Sequence, residues 1–164
     1  MARTFNTHNW VELANMIDEQ RLYNYWHDWG SRMPRIAANH VRVLAVDDSP
    51  AFLHTLCSFL EGDPIFEIVA TAQNGEEALS AVERWHPQVV LMDLQMPKMN
   101  GLEATEELHH HFPELPVIIL TAHELPTLRE ACIKHGAYGF ISKAKLSQQL
   151  PGLLARASFM EEEN

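Results

Sequence analysis

The stretch that most constrains the fold is an apolar run that ends in a single carboxylate. Residues 89–92, Val-Val-Leu-Met, contain no polar side chain and lead directly into Asp93. An uninterrupted apolar run of this length predicts a strand that is buried on both faces. Pro97, Asn100 and Gly101 are turn formers, so the strand must end close to Asp93. We therefore expect Asp93 at the carboxyl end of a core strand, the edge at which open parallel sheets bind ligands.

From residue 41 onward, strand-like and helix-like segments alternate. Apolar runs predict strands over residues 41–46, 66–72, 89–92, 117–120 and 138–142. Apolar residues at helical spacing predict a helix after each strand. Ser49 is a good cap for the first helix, with Pro50 at its first position, and Ser147 is predicted to cap the last. Pro151 is then tolerated only near the first turn of that last helix. Five strands alternating with five helices predict a parallel sheet with helices on both faces.

Residues 1–40 differ from the rest of the chain. Trp10, Trp26 and Trp29 lie in this segment among apolar residues at helical spacing, which predicts two short helices or one broken helix, followed by a linker. Such an aromatic stripe packs against the main domain or a second copy, or it docks another protein. We therefore divide the chain into a helical extension with its linker (1–40), a main domain (41–157) and an acidic tail (158–164).

The net charge of −10 narrows the classes of partner. Residues 1–40 hold four basic and four acidic side chains, so the excess acid lies wholly in residues 41–164. This argues against direct binding of nucleic acid and suits a divalent cation or a basic partner. No apolar run approaches the roughly 20 residues of a membrane span, and no secretory signal is recognisable at the N-terminus. Cys57 and Cys132 are expected to be buried free thiols, which fits a cytoplasmic protein.

Polar side chains with complementary charges follow the predicted strands. Asp47 and Asp48 follow the first strand, Asp93 the third, Thr121 the fourth and Lys143 the fifth. Because parallel strands end at the same edge of the sheet, these side chains are expected to converge. Three carboxylates in one place repel each other unless their charge is compensated. Mg²⁺, which prefers oxygen ligands, and the Lys143 ammonium would compensate it.

These marks give the chain a family resemblance. The segment from about Val41 to Ala157 resembles a receiver domain of two-component response regulators. The matching features are Asp47-Asp48, Asp93 within Asp-Leu-Gln-Met-Pro-Lys-Met-Asn-Gly, Thr121-Ala122, and Lys143 after Gly-Ala-Tyr-Gly-Phe-Ile-Ser. The resemblance implies a flavodoxin-like (βα)5 three-layer sandwich with sheet order 2-1-3-4-5.

The resemblance also implies a phosphorylation site and its metal ion. Asp93 is expected to accept a phosphoryl group from the phosphohistidine of a histidine kinase. Asp48, Asp93 and the backbone carbonyl of Gln95 are expected to bind Mg²⁺ directly, and Asp47 through water. As a nucleophile, Asp93 needs a low pKa, which Mg²⁺ and Lys143 are expected to provide.

Further residues are expected to bind and sense the phosphate. Lys143, the Thr121 hydroxyl and the Ala122 N–H would contact its oxygens. If Thr121 moves toward the phosphate, Phe140 is expected to swing inward into the vacated space, which makes these two residues the predicted switch. Residues two positions after Asp93 and Thr121 are expected to tune dephosphorylation; they are Gln95 and His123.

Alternative functions stay open at this stage. Lys143 is followed by Ala144, where the family often has proline, and this variant resembles receivers fused to helix-turn-helix DNA-binding domains. The leading hypothesis is a receiver that is no enzyme beyond its own phosphorylation and dephosphorylation. Its expected partners are a histidine kinase or phosphotransfer protein, a downstream protein and a possible second copy. The alternative is the receiver part of a DNA-binding regulator. An Mg²⁺-dependent aspartyl-phosphate hydrolase and a non-phosphorylated interaction module are less favoured.

Overall fold

The computed structural model describes residues 40–158. The predicted helical extension and acidic tail lie outside these residues, apart from positions 40 and 158, and stay predictions. Among residues 40–158, no helix combines the length and apolar character needed to cross a bilayer.

Strands and helices alternate throughout this part of the chain. The strands are β1 (Val41–Val46), β2 (Phe66–Ala72), β3 (Val89–Asp93), β4 (Val117–Thr121) and β5 (Gly139–Ser142). The helices are α1 (Pro50–Glu61), α2 (Gly75–Trp85), α3 (Gly101–His111), α4 (Pro126–Lys134) and α5 (Leu146–Ser158). The strands pair in parallel in the order β2-β1-β3-β4-β5, so the predicted sheet order is confirmed.

The sheet has a hydrophobic core on each face. One core joins the sheet to α1 and α5 through side chains such as Leu56 and Leu154, both buried. The other joins it to α2, α3 and α4 through side chains such as Val82, Leu108 and Cys132. With helices covering both faces, β3 and β4 are buried along their whole length, as their apolar sequences predict. The three-layer sandwich is therefore confirmed.

The start of α1 follows the predicted capping pattern. The Ser49 hydroxyl accepts a hydrogen bond from the Phe52 N–H at 3.3 Å, and Pro50 is the first helical residue.

The cysteine prediction holds for Cys132, which is buried, but Cys57 is only half-buried.

The prediction for the start of α5 is wrong. A 3-10 turn at Lys143–Lys145 leads directly into α5, so Ser147 lies in the first turn of the helix and does not cap it. Pro151 lies inside α5 rather than near its start. A proline there removes the N–H that would bond to the carbonyl of residue 147, and the helix continues regardless.

Candidate functional site

The register of the sheet brings the predicted polar residues to one edge. Val46 pairs with Met92 at the ends of β1 and β3, so the residues that follow β1 lie beside the end of β3. Thr121 pairs with Ser142, which places Lys143 just beyond the end of β4. All four strands end at this edge because they are parallel.

Three carboxylates form a cluster at the edge. Carboxylate oxygens of Asp47, Asp48 and Asp93 all lie within 4.8 Å of one another. Asp47 and Asp93 are 1% and 6% exposed, whereas Asp48 is exposed to solvent. Asp47 Oδ1 accepts the Ser49 N–H at 2.8 Å. In the part of the chain that the structure describes, this is the only group of three or more acidic, cysteine or histidine side chains placed to hold a metal ion.

Lys143 bridges two members of the cluster. Its Nζ lies 2.5 Å from Asp47 Oδ2 and 2.9 Å from Asp93 Oδ1. Burial alone lowers the pKa of Lys143, but the hydrogen bonds and charges of these two carboxylates outweigh it and raise the pKa above its usual value. Lys143 is therefore a firmly protonated ammonium at neutral pH.

The pKa of Asp93 is shifted in the opposite direction from the one that the sequence predicts. Burial raises the pKa of Asp93, Lys143 lowers it, and the charges of Asp47 and Asp48 raise it again. The net effect is a pKa above the usual range of a carboxyl group. Lys143 by itself therefore does not keep the pKa low, and the predicted depression depends on a bound cation.

The donor set suits Mg²⁺. Three carboxylates against one ammonium leave an excess charge that a divalent ion neutralises, and all the ligand atoms are hard oxygens. Asp47 already has both oxygens engaged, one by Ser49 and one by Lys143, which favours contact with the ion through water. Gln95 is exposed and lies in the loop that follows β3.

Gly101 fixes the loop that carries the site. Its N–H donates to the Leu94 carbonyl at 3.0 Å. A Cβ at Gly101 would lie only 2.0 Å from the backbone oxygen of Asp93, so the start of α3 packs against the Asp93 backbone more closely than any side chain at position 101 permits. At Asn100 a capping box with Glu103 then begins α3. The sequence identified Gly101 only as a turn former, and the close approach was not predicted.

Thr121 lies at the end of β4, at the same edge of the sheet as the acidic cluster. Thr121 is buried, and its hydroxyl oxygen accepts the His123 N–H at 3.2 Å. Ala122 and His123 are exposed. Phe140 is already buried, at 8% exposed, in the core that joins the sheet to α2, α3 and α4. An inward swing of Phe140 is therefore not needed to bury it, and its part in a switch stays a prediction.

Sequence reasoning missed one residue at the site. Phe52 belongs to α1, and its ring centroid lies 4.1 Å from Lys143 Nζ. Local sequence patterns gave no signal for this contact because the two residues belong to opposite ends of the domain.

Comparison with known proteins identifies the family. The family model described as the response regulator receiver domain matches residues 43–154. This chain belongs to the response regulator receiver family. The receiver is 35% identical over 109 residues to the transcriptional regulatory protein DegU of Brevibacillus brevis, a match that covers 66% of this chain and 46% of the relative.

Other relatives are named as enzymes. A protein-glutamate methylesterase/protein-glutamine glutaminase of Treponema pallidum (strain Nichols) is 39% identical over 107 residues, covering 64% of this chain and 27% of that protein. The solved response regulator domain of Thermotoga maritima CheB superposes with a TM-score of 0.69 at 26% identity, covering 77% of this chain and 100% of that one. The receiver spans less than half the length of the curated relatives it matches.

Proposed function

We propose that this receiver accepts a phosphoryl group on Asp93 from a phosphohistidine and relays the modification to a protein partner through a conformational change. The observation that carries the proposal is the Lys143 ammonium, held between Asp47 and Asp93 within a cluster of three carboxylates. A buried carboxylate whose pKa is raised and which lies beside a fixed cation is typical of a reactive site.

The chain supplies the nucleophile and the groups that orient the reaction. An ionised Asp93 oxygen forms a bond to phosphorus as the bond between phosphorus and the imidazole nitrogen breaks, and the nitrogen leaves with the electron pair. Lys143 would contact a phosphoryl oxygen and stabilise the charge that develops on it. Asp48, Asp93 and the Gln95 carbonyl would hold Mg²⁺, with Asp47 acting through water; the bound ion supplies neutralisation of the carboxylate and phosphoryl charges.

Residues at the end of β4 would bind the phosphoryl group and change conformation in response. The Thr121 hydroxyl oxygen accepts the His123 N–H, and its own O–H can still donate to a phosphoryl oxygen; a movement of Thr121 toward the phosphate would rearrange the hydrogen bond to His123. That rearrangement gives the switch a defined starting point, and Phe140, which pairs with Ile119 in the sheet, is the neighbouring element expected to respond. Gln95 and His123 are both exposed beside the site and would control the access of water, and hence dephosphorylation.

Intact-mass spectrometry tests the proposal. Incubation with Mg²⁺ and a small acyl phosphate is expected to add one phosphoryl group, and chelation of the metal should prevent the gain. Asp93→Asn should abolish it, while Asp63→Asn, the same change at an aspartate outside the cluster, should not. A gain that survives Asp93→Asn refutes the assignment. Rapid release of inorganic phosphate over many turnovers would support the hydrolase, and no modification at all would support the inert interaction module.

A second candidate is the receiver part of a DNA-binding regulator. The similarity to a transcriptional regulatory protein favours this second candidate, because that protein is more than twice as long as the region matched. In either case the receiver is proposed to be cytoplasmic, to have no enzyme activity beyond its own phosphorylation and dephosphorylation, and to bind a histidine kinase or phosphotransfer protein. Sizing in solution with and without beryllofluoride would show whether phosphorylation also drives pairing of two copies.

A further inference from the structure

The ammonium of Lys143 has a third neighbour besides its two carboxylates. Phe52 is the third residue of α1 and is half-buried. Its ring centroid lies 4.1 Å from Lys143 Nζ, well inside the distance of about 6 Å over which an aromatic face attracts a cation. The Lys143 side chain is 22% exposed, so the contact is partly shielded from water, which strengthens it.

The ring is tied to the acidic cluster through the cap of α1. Asp47 Oδ1 accepts the Ser49 N–H, the Ser49 hydroxyl accepts the Phe52 N–H, and the Phe52 ring contacts the Lys143 ammonium. Lys143 in turn donates to Asp47 Oδ2. Each of these four residues therefore contacts the next, and Lys143 contacts Asp47 again. These contacts fix the Phe52 ring relative to the acidic cluster.

We propose that Phe52 is a positioning residue, whose ring keeps the Lys143 ammonium in place during phosphoryl transfer. This inference rests on the proposed function of the receiver. The two carboxylate partners of Lys143 are the groups that the reaction changes: Asp93 loses its negative charge when its oxygen bonds to phosphorus, and Asp47 is shared with the expected cation. The ring undergoes no such change, so its hold on Lys143 persists through the step.

Substitution of Phe52 by leucine tests the role of the ring, because leucine keeps an apolar side chain and removes the aromatic face. Because the contact exists before and during the transfer, its loss acts by lowering the fraction of molecules that hold Lys143 in place. We expect that fraction, and with it the rate of phosphorylation by a small acyl phosphate, to fall about two- to thirty-fold, a range bounded by the strength of a partly shielded cation–π contact. Phe52→Tyr should retain most of the rate. Phe59→Leu is the matched control, since Phe59 lies on the same helix and packs against the same core.

Two further measurements separate positioning from general structural support. In a Lys143→Ala background, Phe52→Leu should cause no additional loss of rate. In the unphosphorylated wild type, the Lys143 side-chain methylene protons next to Nζ should show ring-current shifts in NMR spectra that disappear in Phe52→Leu and persist in Phe59→Leu.

The outcomes distinguish this inference from the proposed function. A wild type that takes up no phosphoryl group overturns both the proposed function and the role of the ring. A wild type that is phosphorylated at a rate matched by Phe52→Leu overturns only the inference. So does an undiminished loss of rate in the Lys143→Ala background, or a Lys143 spectrum that Phe52→Leu leaves unchanged.

Discussion

Replacing Asp93 by asparagine is expected to stabilise the metal-free receiver at neutral pH, although the change removes an ion pair. The Asp93 carboxylate is buried, and the balance of burial, Lys143 and the neighbouring carboxylates raises its pKa. A carboxyl group whose pKa is higher in the folded than in the unfolded state destabilises the fold when it is ionised. The asparagine variant avoids this cost because it carries no charge.

The distances in the site give the size of the effect. With an effective dielectric constant of about 20, the Lys143 ammonium 2.9 Å away attracts the Asp93 carboxylate by about 6 kcal/mol. Asp47, within 4.8 Å, repels it by at least about 3.5 kcal/mol, and the exposed Asp48 by about 1 kcal/mol because water screens it. The small net attraction that is left is exceeded by the cost of burying the carboxylate, which is several kcal/mol. We therefore expect Asp93→Asn to gain about 1–2 kcal/mol, or about 2–8 °C in Tm.

Urea unfolding in the presence of a chelator measures this gain, and its pH dependence tests the cause. As pH rises from the ordinary carboxyl value toward the raised pKa of Asp93, the wild type should lose stability that the variant keeps. The advantage of Asp93→Asn should therefore be small in acid and largest at neutral pH. Added Mg²⁺ should stabilise the wild type more than the variant.

Asp47→Asn is the matched control. Asp47 accepts hydrogen bonds from Lys143 and from the Ser49 N–H, so the same substitution there should destabilise the receiver by about 1–3 kcal/mol. If Asp93→Asn instead proved less stable than the wild type at neutral pH without metal, the ion pair with Lys143 would outweigh burial and the reasoning would be refuted.

Two backbone predictions concern the loop that carries Asp93. Gly101→Ala should destabilise the receiver by more than about 2 kcal/mol in urea unfolding, because its Cβ would lie 2.0 Å from the Asp93 backbone oxygen. Gly62→Ala is the control: the atom nearest to its Cβ is 3.4 Å away, so stability should change by less than about 1 kcal/mol. Equal effects of the two substitutions would contradict the close approach at Gly101. Lys98 has a φ of 64°, so Lys98→Gly should raise the free energy of unfolding by about 0.5–1 kcal/mol, and a loss of stability would show that the lysine side chain stabilises the loop.

The sequence predicted the fold and the acidic cluster well because both depend on local patterns. Apolar runs bounded by turn formers located the strands, and the parallel arrangement that follows from alternating strands and helices sends Asp47, Asp93 and Lys143 to one edge. No long-range packing detail was needed for that inference. The start of α1 was equally local, since Ser49 and Pro50 specify it together.

The predictions that were wrong or missing depend on packing between distant segments. Whether Phe52 reaches Lys143 depends on how α1 lies against the end of β5. The pKa of Asp93 depends on how deeply the strand end is buried, which a list of neighbouring charges does not give. Ser147 has a good capping side chain, but the 3-10 turn that follows β5 leads into α5 before that residue.

The central claim is that Asp93 is the side chain that carries the phosphoryl group. Borohydride reduces an aspartyl phosphate to homoserine, so tandem mass spectrometry of the peptides that contain residues 41–53 and 89–101 locates the modified position after treatment with Mg²⁺ and a small acyl phosphate. We predict homoserine at position 93 in the wild type and in Phe59→Leu. Homoserine at position 47 or 48, or its absence from all three positions in a phosphorylated chain, would contradict the claim.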